Sequence, residues 1–436
     1  MEKLREVLSG LRSLEKAEYV ALPVMGDVEE MNDVPSEDMP PPTARRRRAL
    51  QTKLLFAIAC ALFVALVTLA YNLFLAPSCL FAPPFLISAF HNRFAIRSPT
   101  RVGPRQYYGL YHGRGCSSRE LIAAVGKSRA REDGRSRHEY SQPEGVNELD
   151  MSNFEFSFDV EDCPAPHVFS PEEACDLISS FGGIFNRGDS LMRQFTQGLY
   201  LVLTSSFDQV GDEHEACSGN KLFTNGRLCK FHSIYDSRKL PGGTCPAAVV
   251  LYDQVWNFAS VTGEDMSYNE GADRQRLLLD GYQAFLDSRP SPQRNYSPIF
   301  VEATGIHYQW RVADTLSYHV LPFLANTSST VPRPIPFFSG YPAVPANKPP
   351  EYLGVQGPEP TKRYNEEMEK ALAELGEGNS WRGEWSMLEW YNATDGGWSY
   401  DGTHFDAQVA IERAQVFLNV LDAVWGEIVQ QGGLAD

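Results

Sequence analysis

The chain has 436 residues and no excess of basic charge; its formal net charge is −16. An acidic excess repels phosphate, so nucleic acid is excluded as a main partner. No Cys-x-x-Cys pair is present, which removes the zinc-ribbon and dithiol-redox readings. No Asp-x-Asp triplet is present either, and with it goes the usual metal-binding signature of a nucleotide-sugar glycosyltransferase. Neither a metal site nor a resident cofactor is expected.

Charge is also missing from residues 54–76, LLFAIACALFVALVTLAYNLFLA. At about 1.5 Å per residue this run crosses a hydrocarbon core of about 30 Å, so one transmembrane helix is expected there. Arg45, Arg46, Arg47, Arg48 and Lys53 precede it, and the next basic side chain is Arg93. The positive-inside rule then leaves the N-terminus in the cytosol. The expected layout is that of a single-pass type II membrane protein. Residues 1–53 form a mostly disordered cytosolic tail, 54–76 a signal anchor, 77–150 a stem, and 151–436 one lumenal domain. A short single span points to the Golgi or the endoplasmic reticulum.

Within the tail, residues 25–42 are too acidic and proline-rich to fold. Leu4, Val7, Leu8, Leu11 and Leu14 give residues 2–18 an apolar helical face, either a docking element or a helix too short to persist alone in water. The stem carries Arg93, Arg97, Arg101, Arg105 and Arg114, which either attract lipid headgroups or an acidic glycan, or belong to a solvated spacer.

Of the 8 cysteines, Cys60 lies in the span and the rest follow it. An oxidising lumen pairs some of them, and Cys163 with Cys175, or two of Cys217, Cys229 and Cys245, are the candidate disulfides. Asn295, Asn326 and Asn392 begin Asn-x-Ser/Thr triplets on the expected lumenal side.

Ser170-Pro171-Glu172-Glu173 is a capping box with proline at the first helical position and predicts a helix toward Ser180. A short strand over 184–187 and a helix over 191–203 follow. The apolar runs 247–252 (AAVVLY) and 299–303 (IFVEA) have the character of strands buried in a parallel sheet. Helical patterns recur over 272–286, 364–375 and 407–429. This alternation predicts an α/β fold, a three-layer α/β/α sandwich with a mainly parallel sheet covered on both faces. Residues 331–360, crowded with proline, are expected to form an ordered surface loop or flap.

Two motifs carry chemistry. Gly188-Asp189-Ser190-Leu191 falls between a predicted strand and a predicted helix, where unpaired amides and the helix dipole favour a developing negative charge. Asp189 at that point reads as a helix cap. Asp401-Gly402-Thr403-His404 puts a carboxylate and an imidazole on one tight turn, a spacing that only His404 among the 9 histidines shows. A carboxylate so placed fixes the tautomer of His404 and leaves its other nitrogen to accept a serine proton.

The chain resembles the SGNH/GDSL hydrolase superfamily, and within it the PC-esterase branch of trichome-birefringence-like glycan O-acetyltransferases and related fungal type II membrane proteins. The resemblance rests on Gly188-Asp189-Ser190-Leu191-Met192-Arg193-Gln194, Ala303-Thr304-Gly305-Ile306-His307-Tyr308, and Trp390-Tyr391-Asn392-Ala393-Thr394 leading into Asp401-Gly402-Thr403-His404-Phe405. It covers the chain from about Cys163 to the C-terminal helix. It implies Ser190 as nucleophile, His404 as base and Asp401 as the acid that orients it. The implied activity is an esterase or O-acyltransferase acting on glycan or other ester substrates through an acyl-serine. A transferase would draw on an acyl donor such as acetyl-CoA or an acetylated glycan.

The Gly-x-Asn-Asp block, whose asparagine helps stabilise the oxyanion in many relatives, is missing. The Ser190 and Gly305 amides are the oxyanion candidates in its place. Arg193 either holds an anionic substrate group or braces its helix, and His307 either binds substrate or fills the core. Trp381, Trp385 and Trp398 are candidates for stacking on sugar faces.

Overall fold

The strand runs are mainly apolar, and because successive side chains point to opposite faces they supply apolar groups to two helical layers. The computed structural model describes residues 115–130, 151, 154–206, 236–240, 245, 249–254, 268–327, 332–376, 384–399, 401–405 and 407–430. In chain order, helix α1 (Ser118–Gly126) leads to strand β1 (Arg129–Ala130), which pairs antiparallel with β2 (Phe158–Asp159). Then come α2 (Pro171–Ser180), β3 (Ile184–Gly188), α3 (Ser190–Thr204), β4 (Val250–Gln254), α4 (Tyr268–Ser288) and β5 (Ile299–Ala303). A short α5 (Val312–Thr315) runs through a π turn (Leu316–Val320) into α6 (Leu321–Thr327). The chain closes with β6 (Ile335–Ser339), α7 (Pro350–Gln356), α8 (Pro358–Leu375), β7 (Ser386–Leu388), α9 (Tyr391–Thr394) and α10 (Ala407–Gln430).

Strands β3 to β7 form one parallel sheet in the order β4-β3-β5-β6-β7, so the fold is α/β as expected. Every residue of β3, β5 and β6 is buried, which follows from helices covering both faces. On one face Ile184, Val301 and Phe337 pack with Phe195 of α3 and Phe417 of α10. On the other, Phe185, Phe300 and Phe338 pack with Phe285 of α4 and Met368 of α8.

Several expectations need correction. Residues 331–360 are not merely a flap, because they contain β6, an interior strand of the sheet. Pro336 disguised it. The β7 ladder begins only at Phe337, so the proline sits where that neighbour is not yet paired.

Residues 115–130, inside the expected stem, belong to the folded domain. Ser118 donates from its amide and its hydroxyl to Glu427 Oε1 on α10, at 2.7 and 2.6 Å. The domain therefore begins before residue 151. Disulfides join Cys116 to Cys163 and Cys175 to Cys245, in place of the expected Cys163–Cys175 pair or a pair within Cys217, Cys229 and Cys245. Pairing of β1 with β2 brings the Cys116 and Cys163 segments together, a long-range event that cysteine spacing does not encode.

The capping box at Ser170 forms as predicted, with Pro171 opening α2. The tail, the expected span over 54–76 and Cys60, Cys79, Cys217 and Cys229 lie outside the described residues. Among the described residues no helix is long and apolar enough to cross a membrane.

Candidate active site

Numbered within the parallel sheet alone, the strand order is 2-1-3-4-5. In such a sheet the connections leave the first strand in opposite directions, and a crevice opens at the carboxyl ends where they part. Here that point lies between β3 and β5, whose ends are in register at Gly188 and Ala303.

Asp189 follows β3 and caps α3, its Oδ1 accepting the Leu191 amide at 2.9 Å. Ser190 is thus the first residue of the helix. Gly188 is required by space rather than by turn geometry. A Cβ there would lie 2.4 Å from the Ala303 carbonyl oxygen.

The second motif arrives from the far end of the chain. His404 Nε2 lies 2.6 Å from Ser190 Oγ, and His404 Nδ1 lies 2.6 Å from Asp401 Oδ2. Asp401 Oδ1 also accepts the amides of Thr403 and His404, at 2.9 and 2.7 Å. Gly402 makes that turn feasible with φ of +79°, and a Cβ on it would meet the Lys348 backbone at 2.7 Å. Burial raises the Asp401 pKa, but the bonds from His404 and from the two amides outweigh it and hold the carboxyl below its ordinary value.

One turn along α3 from Ser190, the Gln194 amide clamps this loop. Its Nε2 donates to the Phe405 carbonyl at 2.7 Å and its Oε1 accepts the Phe405 amide at 3.1 Å. A single helix therefore presents the hydroxyl and fixes the imidazole that faces it.

Asp189 is a structural cap with a second duty. Its Oδ2 accepts the buried Tyr341 hydroxyl at 2.5 Å, and that hydroxyl accepts the Ile306 amide at 3.0 Å. Arg413, buried on α10, donates to the Leu191 carbonyl at 3.3 Å and to Ser339 Oγ at 3.2 Å. Burial pushes the Arg413 pKa down to about 10, and the Asp189 charge opposes that shift.

Gly305 caps the turn Ile306–Tyr308 just beyond β5. Its φ is −174°, an extended value open to any residue. A Cβ there would lie 2.7 Å from the rings of both Tyr341 and Tyr364, so aromatic packing alone accounts for glycine. His307 lies in the same turn, and its side chain is outside the described residues. Arg193 is buried, and its Nε has no hydrogen-bond partner among the described residues.

Of the tryptophans expected to stack on sugars, Trp385 is instead buried against Phe300 and Phe323, and Trp381 is outside the described residues. Trp398 is half-buried. Trp310, not anticipated from the sequence, lines a small cleft together with Leu191, Tyr341, Lys348, Gln356 and Thr403. This cleft adjoins the relay through residues that neighbour Ser190 and His404 in the chain.

A second polar cluster escaped sequence reasoning. On the opposite face of the sheet Arg187 pairs with Asp253 at 2.5 Å, and His319 lies between Glu302 at 3.2 Å and the Tyr308 hydroxyl at 2.7 Å. The available signal was a charge inside each of two apolar strands, Arg187 in β3 and Glu302 in β5. Burial raises the Asp253 pKa, with Arg187 acting against it.

No cluster of three or more His, Cys, Asp or Glu side chains suited to a metal occurs among the described residues. Comparisons with protein-family models, with curated proteins and with solved structures find no match to this chain.

Proposed function

We propose that the chain is a membrane-anchored lumenal serine esterase or O-acyltransferase acting on acetyl or similar ester groups of glycans. The observation that carries the reading is the continuous Ser190–His404–Asp401 relay at a helix N-terminus. It is the arrangement expected of an activated nucleophile. In this reading the finer fold is a three-layer SGNH-hydrolase-like sandwich, anchored by residues 54–76 in the Golgi or endoplasmic reticulum.

Ser190 Oγ attacks the ester carbonyl carbon while His404 Nε2 takes its proton, and Asp401 stabilises the imidazolium that forms. The tetrahedral oxyanion faces the N-terminus of α3, with the Ser190 amide and the Gly305 amide as donors. Collapse expels the alcohol, which receives the proton from His404, and leaves an acyl-Ser190. Water, or a sugar hydroxyl, then gives its proton to His404 and takes the acyl group, and His404 returns that proton to the departing Ser190 Oγ. Acetyl-CoA or an acetylated glycan serves as the donor when the acceptor is a sugar. Arg193 and His307 remain substrate-binding candidates.

A lipase-like esterase is the second reading, favoured by one observation. Tyr352, Leu353 and Val355 on α7 are 50, 42 and 47% exposed beside the cleft. Offering the purified protein aryl acetates, an acetylated oligosaccharide and phospholipid vesicles ranks these substrates. Turnover of the oligosaccharide that vanishes in Ser190→Ala is the expected result. Turnover unchanged in that variant would reject the mechanism, and a preference for phospholipid would select the second reading.

A further inference from the structure

One cation in the cleft wall takes no part in the relay. Lys348 is only 7% exposed, yet its side chain lines the cleft. Its Nζ donates to Thr403 Oγ1 at 2.6 Å and to Gln356 Oε1 at 2.7 Å, both neutral oxygens. Among the described residues no carboxylate lies within ion-pair distance of it, although a buried ammonium is costly without a counter-charge. Its third contact is the Tyr352 ring, whose centroid lies 5.8 Å from Nζ, so none of its partners carries a full negative charge. Burial lowers the Lys348 pKa, and the nearby Asp401 charge opposes the shift.

The position is informative as well. Thr403 stands between Asp401 and His404, and the Lys348 backbone packs on Gly402, so the ammonium is fastened to the turn that carries the relay. The remaining wall is largely apolar, with Leu191, Ile306, Val344 and Pro345 and the flat ring of Trp310. A cleft of this kind gives one charged contact and one flat apolar contact to whatever occupies it.

We propose that Lys348 is the subsite for a carboxylate carried by the substrate, so that the ester processed at Ser190 belongs to an acidic sugar. A single ammonium held only by neutral oxygens and an aromatic face matches a monoanion. A phosphate would bring surplus negative charge toward Asp401 and apolar walls in a chain whose net charge is already −16. The proposal rests on the reading of Ser190 as the ester-cleaving residue only for its reaction, and its binding component is measurable alone.

Calorimetric titration of the full chain in detergent with methyl glucuronide, methyl glucoside and glucose 6-phosphate tests it. The glucuronide is expected to bind at least about 10-fold tighter than the glucoside, the range a charge-assisted hydrogen bond supplies. Ser190→Ala keeps that preference, Lys348→Arg keeps most of it, and Lys348→Met brings the ratio to about one. Equal affinity for the two sugars in the unaltered protein, a parallel loss of both in Lys348→Met, or tighter binding of the phosphate would each overturn the subsite. Failure of the esterase reading shows separately, as aryl acetate turnover that survives Ser190→Ala.

Discussion

Two histidines in this protein share one connectivity and differ in nearly everything else. His404 lies between Asp401 and the Ser190 hydroxyl, and His319 lies between Glu302 and the Tyr308 hydroxyl. The first set stands at the N-terminus of α3, where its chain neighbours Leu191, Gly402 and Thr403 line the cleft. The second is sealed on the other face of the sheet, with His319 and Glu302 wholly buried.

Geometry separates them too. Asp401 accepts three aligned bonds, whereas His319 Nδ1 approaches Glu302 within ion-pair distance without hydrogen-bond alignment. A carboxylate–imidazole–hydroxyl chain therefore does not define a nucleophile by itself. Access, an aliphatic hydroxyl and a helix dipole aimed at the developing charge make the difference.

Substitutions in the two sets sharpen this contrast, the largest effect coming from the relay. Ser190→Ala or His404→Ala is expected to lower kcat for aryl acetate hydrolysis by about 10,000-fold or more, with the fold intact by circular dichroism. Asp401→Asn follows at about 1,000-fold or more, since it spoils the His404 tautomer. His319→Ala should instead cost about 3 kcal/mol of stability in urea unfolding while turnover per folded molecule stays within a few-fold, because it leaves buried Glu302 with only Arg187, at 3.8 Å, within ion-pair distance. An equal loss of turnover there would break the distinction. Gln194→Ala releases the loop of His404 and is expected to reduce kcat about 10- to 100-fold.

The smallest effects concern pH. Asp401, lowered in the fold, stabilises the protein above the ordinary carboxylate range, and this contribution fades as pH falls through its lowered pKa. Glu389 behaves oppositely. Burial raises its pKa to about 7, so the stability tied to its protonated form is complete below about 4.5 and lost as pH rises toward 7. Unfolding free energies at pH 5 and pH 8 are expected to differ less in Glu389→Gln than in the unaltered protein, by no more than about 3 kcal/mol.

The sequence made legible what is local. The α2 capping box, the apolar runs of β3 and β5, the serine after Gly188-Asp189 and the Asp401–His404 turn are each encoded within a few residues. What it hid depends on partners far along the chain. Gln194 meets Phe405, Tyr341 meets Asp189, and Cys175 meets Cys245, none at a spacing that a periodic pattern records. Pro336 hid β6, because a proline inside a strand argues against an interior position unless the missing ladder partner is known.

The central claim is that Ser190, rather than the sealed hydroxyl or any other serine, is the activated nucleophile. Reaction with a fluorophosphonate followed by mass-spectrometric mapping of the modified residue tests it most directly. A single modified site at Ser190 is expected, formed more slowly in Asp401→Asn and absent in Ser190→Ala. Modification at another residue, or labelling that persists at full rate in Ser190→Ala, would contradict it.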